Sequence, residues 1–212
     1  MAVTIPKQCG HCGKSATTNC AQCKSVVYCD NKCQKKDWTV HKTICSSSLQ
    51  DEVSEDSRPG SNYHRAILLP ENGNRPEFVW VNQHQESCDL KKIIEADCRG
   101  VETIVDYGTG NDKHPNYQVV VQFRDEMLVD GTSKRNSLVS VLTKNNIAPY
   151  WRGPLLISGE LKEHEKLLNF YADLEPCDLG SAVRGLVRFA KKWAFSVDRL
   201  KQKYGDDFVN KD

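Results

Sequence analysis

Apolar positions return along the chain in two rhythms. From Tyr63 onward, short runs of β-like composition recur: HRAILL (64–69), EFVWV (77–81) after the turn-rich PENGNRP, ETIVDY (102–107), YQVVVQF (117–123) and MLV (127–129). Among them lie segments of helical spacing. Leu90, Ile93 and Ile94 follow an Asp89 cap and precede Gly100, while Leu138, Val141 and Leu142 follow Asn136 and Ser137. The clearest helix is near the end, where Val183, Leu186, Val187, Ala190 and Trp193 share a face and Arg184, Arg188, Lys191 and Lys192 lie largely on the other. Strands and helices mixed without regular βα alternation predict an α+β domain over residues 63–212, with no role legible in the pattern. Residues 46–62, SSSLQDEVSEDSRPGSN, show no apolar period and are rich in Ser, acidic residues, Pro and Gly. They read as a flexible linker, so that whatever precedes them should fold and unfold apart from the domain.

Residues 7–45 carry almost no apolar pattern and seven of the ten cysteines. The start, MAVTIPKQC, lacks the basic stretch and long apolar run of a secretory signal, and no apolar run approaches the roughly 18 residues of a membrane span. The expectation is an intracellular protein, nuclear or cytoplasmic, in a reducing compartment where clustered thiols serve metal rather than disulfides. Cys9-x2-Cys12, Cys20-x2-Cys23, Cys29-x3-Cys33 and His41-x3-Cys45 supply eight donors in four pairs, enough for two tetrahedral zinc sites. An x2 pair needs a tight turn, whereas His41 and Cys45, at i and i+4, need a helical backbone. Spacing alone leaves open which pairs share an ion. His11, inside an x2 knuckle, is expected to point away, and Cys88, Cys98 and Cys177 have no partner at metal spacing.

VVYCDNKCQKKDWTVHKTIC (26–45), with Tyr28 before Cys29, Gln34 after Cys33, and Asp37-Trp38 ahead of His41, resembles the MYND zinc finger. The resemblance implies a small irregular double-zinc finger in an interleaved cross-brace: Cys9, Cys12, Cys29 and Cys33 on one ion, Cys20, Cys23, His41 and Cys45 on the other. It also implies a shallow groove for short proline-rich peptides, in which Trp38 would supply an aromatic floor and Gln34 a backbone partner. The competing reading has Trp38 packing the finger's own small core. Tyr150-Trp151-Arg152-Gly153-Pro154 resembles a segment of uncharacterised fungal proteins that carry such fingers, and implies no activity.

Charge weakens other classes. The chain has 29 basic and 28 acidic side chains, and the formal +5 of residues 1–45 falls to about +2 once seven thiolates and two Zn²⁺ are counted. Direct nucleic-acid binding is therefore not expected, although a nucleic-acid-associated regulator stands as an alternative. A second alternative is a methyltransferase-like enzyme, because DYGTGN (106–111) resembles a cofactor loop. Such a loop opens a parallel crossover of a dozen or more residues, and only 111–116 separate it from the next strand, so Gly108 and Gly110 read as turn glycines. The chain also lacks the Asn-His-x-Cys segment of the SET methyltransferases into which some of these fingers are built. His64, His84, His114 and His164 are scattered and read as surface residues. No catalytic residue is assigned, no enzyme is expected, and the zincs are read as structural in an adaptor whose partners are other proteins.

Overall fold

The computed structural model describes residues 7–45, 53–82, 89–95, 117–124, 132–144, 151–161 and 171–190, and the backbone of 101–106. The N-terminal unit contains two short strands, β1 (Thr18–Asn19) and β2 (Val27–Tyr28), paired antiparallel, followed by helix α1 (Asn31–His41). The Asp30 carboxylate caps α1 by accepting from the Cys33 N–H at 2.7 Å.

A mixed α/β region follows. Its sheet runs β4 (Glu77–Asn82), β3 (Tyr63–Leu69), β7 (Leu155–Leu161), β6 (Tyr117–Arg124) and β5 (Val101–Asp106), with β8 (Tyr171–Ala172) beside β7, every pairing antiparallel. Register follows the two-residue alternation of apolar side chains. Ile67, Ile157 and Val121 line up across three strands and face the main core, which also takes Leu69, Phe123 and Leu155. Leu68, Leu156 and Gln122 line up on the opposite face. There Ala66, Val81 and Leu156 pack with Leu90 and Ile94, and Gln122 accepts from the Ser158 hydroxyl at 3.2 Å.

Helix α3 (Ser137–Leu142) and the helical residues 178–190, here α4, bury Leu138, Val139, Leu142, Leu179, Ala182, Val183 and Leu186 against the main core. Helix α2 (Leu90–Ile93) is a single turn, ended by Glu95 at φ 55°. Asp89 does not cap it as expected; its carboxylate instead accepts from the Asn82 N–H at 3.1 Å. On α3 the expected face is also shifted. Val141 is 66% exposed and Val139 is buried, because the sheet lies over 138, 139 and 142 rather than over 141. No helix among the described residues is long and apolar enough to cross a membrane.

The flexible-linker reading of 46–62 is corrected over its second half. Val53 joins the main core, and Glu55–Ser57 form one 3-10 turn. Arg58 pairs with Glu55 at 2.7 Å and with Asp173, and its guanidinium lies 4.3 Å from the Trp80 ring centre. Trp80 in turn donates from Nε1 to the Ser57 hydroxyl at 3.1 Å. A charged, proline-containing stretch is thus held by partners from β4 and from 173, which its own composition does not reveal. Residues 46–52 lie outside the described residues, as do Gly108, Gly110 and 127–129. β5 and β6 pair antiparallel, so the parallel crossover required by the cofactor-loop reading is absent.

The N-terminal unit is seated on α4. Ile44 is fully buried in the main core and Val40 packs against it, while Cys177 packs on the cysteine cluster of the finger. Two glycines permit the approach: a Cβ on Gly180 would lie 2.9 Å from Asp37 Oδ1, and one on Gly10 would lie 3.3 Å from Cys177 Cβ.

Candidate metal centre

Two turns of the same construction bring the x2 pairs into place. The Gly13 N–H donates to the Cys9 carbonyl and the Lys24 N–H to the Cys20 carbonyl, each at 2.9 Å, with Gly13 at φ 70° and Lys24 at φ 58°. The left-handed residue closes each loop so that both sulfurs face inward. The third pair straddles the start of α1, and the fourth lies at its end, where Lys42 and Ile44 continue the helical hydrogen bonding toward Cys45.

The eight donors gather in two groups, Cys9, Cys12, Cys29 and Cys33, and Cys20, Cys23, His41 and Cys45, with donor atoms within 4.8 Å of one another in each. In this grouping the donors of the first pair lie with those of the third, and the donors of the second with those of the fourth. Cys12 and Cys29 sulfurs are 3.6 Å apart, Cys29 and Cys33 3.5 Å, and Cys20 and Cys45 3.6 Å. His41 Nε2 lies 3.4 Å from Cys20 Sγ and 3.5 Å from Cys23 Sγ. A zinc tetrahedron with about 2.3 Å Zn–S and 2.0 Å Zn–N bonds has S–S edges of roughly 3.8 Å and S–N edges of roughly 3.5 Å, so the donor spacing fits.

The electrostatics fit as well. Burial, and then the neighbouring sulfurs, push the Cys45 thiol up to about 12, and Cys33 moves in the same direction. Thiolates this close need a cation among them. Burial lowers the His41 pKa, which favours the neutral imidazole that a ligand must be. Its other nitrogen, Nδ1, is buried and finds no hydrogen-bond partner among the described residues. The donor chemistry, four thiolates in one group and three thiolates with an imidazole in the other, is consistent with two structural zinc ions. His11 is not among the donors, and of the remaining cysteines Cys88 and Cys98 lie outside the described residues.

Around the metal groups, Tyr28 is buried and donates to Asp37 Oδ2 at 2.7 Å. Asp37 is itself buried, raised in pKa by desolvation and opposed by Tyr28, His41 and the positive charge of Arg184 on α4. Trp38 points the other way, 40% exposed, its ring centre 6.0 Å from that of His41. Gln34, one turn before it, is half-buried. Asp37 and Trp38 are adjacent in sequence, yet one faces α4 and the other faces solvent. Asp37 as the docking carboxylate was not legible, since its counter-charge lies at position 184.

Residues 9–45 match the MYND finger family, so the structure is a MYND zinc finger followed by a mixed α/β region. Over 157 residues the chain is 26% identical to Tudor domain-containing protein 1 of Mus musculus, covering 72% of this chain and 13% of that protein. Over 51 residues it is 33% identical to the protein of the same name from Danio rerio, covering 24% of this chain and 4% of that one. The chain therefore spans only a small part of these relatives. The fungal resemblance of 150–154 finds no support; Trp151 there is a core residue, edge-on to Phe123 at 5.0 Å. No solved structure matches.

Proposed function

We propose that the chain is a zinc-dependent adaptor whose finger holds two ions in an interleaved brace and offers Gln34 and Trp38 to a proline-rich segment of another protein. Four protein donors per ion leave no open position for water or substrate, which favours a scaffold over metal catalysis. The observation that carries the reading is the exposure of Trp38 on a helix fixed at both ends. Cys33 anchors its first turn and His41 its last, each in a different donor group, while Asp37 and Val40 face the core side. An indole on so rigid a base loses little entropy on binding, and it can stack on proline rings while the Gln34 amide bonds the peptide backbone. The likeness to long proteins of which the chain covers a small share suits a binding module.

Replacing Trp38 with Ala should weaken binding of a proline-rich peptide by about 2 kcal/mol or more, as expected for an anchor residue. Calorimetry and metal analysis on the same sample decide the matter. Unchanged affinity with both zincs retained would remove the surface from α1, and loss of zinc would show that the indole supports the metal fold.

A further inference from the structure

We propose that the segment recognised at Trp38 is acidic as well as proline-rich, with Asp or Glu two to four residues from the proline that stacks on the indole. This rests on the peptide-surface reading above and names the chemistry of its ligand.

The solvent face of α1 and its cap carries Lys32, Lys35, Lys36 and Lys42, all exposed or half-exposed. Helical spacing places Lys35 three residues before Trp38 and Lys42 four residues after, about 5 to 6 Å away between Cβ atoms, with Gln34 on the same stripe. The two carboxylates in this stretch are committed elsewhere. Asp30 accepts from the Cys33 N–H at the helix start, and Asp37 is buried against Tyr28 and faces Arg184. Among the described residues no ion pair engages Lys35, Lys36 or Lys42. Most lysine faces only keep a protein soluble. This one frames one of the two large apolar side chains that the described residues expose, the other being Val141 on α3.

A polyproline ligand advances about 3.1 Å per residue, so a lysine one turn from the indole meets side chains two to four residues from the stacked proline. The surroundings are cationic at that point, and among the described residues no carboxylate of the protein pairs with these lysines. Four lysines over three turns, beside two thiolate-rich centres, make too sparse a field for the many phosphate contacts that nucleic-acid affinity needs.

The test is fluorescence anisotropy on the full-length protein with three labelled probes: a proline-rich peptide with neutral flanks, the same peptide with glutamate flanks, and a single-stranded oligonucleotide. At about 50 mM salt the acidic peptide should bind roughly five-fold tighter than the neutral one, and the difference should vanish near about 500 mM. Changing Lys35→Glu together with Lys42→Glu should reverse the preference, whereas Lys134→Glu with Lys144→Glu, the same change in net charge made in the sheet region, should leave it as it is. Equal affinities for the two peptides, or an equal loss in both double variants, would overturn the inference while leaving the peptide surface standing. An oligonucleotide that binds more tightly than the acidic peptide also overturns it. Failure of both peptides to bind the unmodified protein would remove the surface itself.

Discussion

His64 shows how far a single residue can depart from what its neighbours in sequence suggest. Read as a surface residue, it is 4% exposed and stacked on Tyr171 with ring centres 4.5 Å apart. Burial lowers its pKa from 6.5 to about 4, helped by Arg58 and opposed by Asp173. The unfolded chain then takes up this proton first as pH falls. The stability that His64 contributes is full above 6.5 and is lost on the way down to about 4, a span worth about 3 kcal/mol. Asp178 works in the opposite sense. Burial raises its pKa from 3.8 to about 6 despite hydrogen bonds from the Glu175 N–H and the Tyr117 hydroxyl, so its share is present below 3.8 and lost as pH rises through 6. The two slopes nearly cancel between pH 4 and 6. In His64→Gln the cancellation should fail: urea midpoints of the variant, relative to the unmodified protein, should fall as pH rises across that window. Parallel pH profiles for the two proteins would show that His64 does not titrate as described.

At the scale of elements, caps explain more than apolar spacing does. Asn136 is fully buried; its side chain accepts from the Val139 N–H at 3.1 Å and donates to the Leu69 and Gly153 carbonyls at 3.1 and 2.9 Å. One amide therefore caps α3, meets the end of β3 and holds the approach to β7. Asn136→Ala removes the cap and strands two buried carbonyls, and should cost about 3 kcal/mol in chemical unfolding, well beyond the ~1 kcal/mol of an ordinary cap. A loss near 1 kcal/mol would mean that the carbonyls find other donors. Helix α4 opens with a reciprocal pair, the Glu175 N–H donating to Asp178 Oδ2 at 2.7 Å and the Asp178 N–H to the Glu175 carbonyl at 2.9 Å, with Pro176 between them. That E-P-x-D signal is local and stands in the sequence, but the apolar stripe from 183 onward does not reach back to it. β7, which pairs with β3, β6 and β8, escaped the strand pattern because LLISGEL has only a short apolar run broken by Gly159. A Cβ there would lie 3.0 Å from the Ala172 carbonyl, so the glycine that obscures the strand is what lets β8 approach.

For the molecule as a whole, the seating of the finger on α4 changes what metal loss should do. Ile44 and Val40 sit at the C-terminal end of α1 and just beyond it, a stretch tied to the metal group through His41 and Cys45, and both contribute to the main core. Removing zinc with a chelator should therefore destabilise the sheet region too. One large buried aliphatic side chain is worth about 3 kcal/mol, roughly 5 to 10 °C for a region of this size. Circular dichroism and tryptophan fluorescence should report one coincident transition, shifted down. Two separate transitions, with the upper unmoved, would restore independent folding. The glycine at the contact gives a sharper measure. Gly180→Ala gains up to about 1 kcal/mol of helix propensity, but its Cβ would meet Asp37 Oδ1 at 2.9 Å. Overpacking of about 1 to 3 kcal/mol should win, so the change destabilises. In an Asp37→Ala background the tightest contact is gone, the remaining one at 3.2 Å is to the movable end of Arg184, and the same change should stabilise. The same sign in both backgrounds would place the strain elsewhere.

The finger's chemistry was determined by the sequence alone: eight donors of the right type, the turn-forming spacing of two pairs and the helical spacing of another. Ligand identity and reach along the chain are local properties, and zinc accepts few geometries. The strand runs 64–69, 77–81 and 117–123 were legible for a similar reason, because alternation with a period of two already defines a buried face. Tertiary structure alone decided that 53–58 is held in place, that His64 is buried, and that Asp37 faces α4 while Trp38 faces solvent. Each of these depends on groups brought together from distant positions, such as 37 with 184, 58 with 173, and 64 with 171. Contacts of that range arise from shape and charge complementarity between finished elements, and no local period in the chain records them.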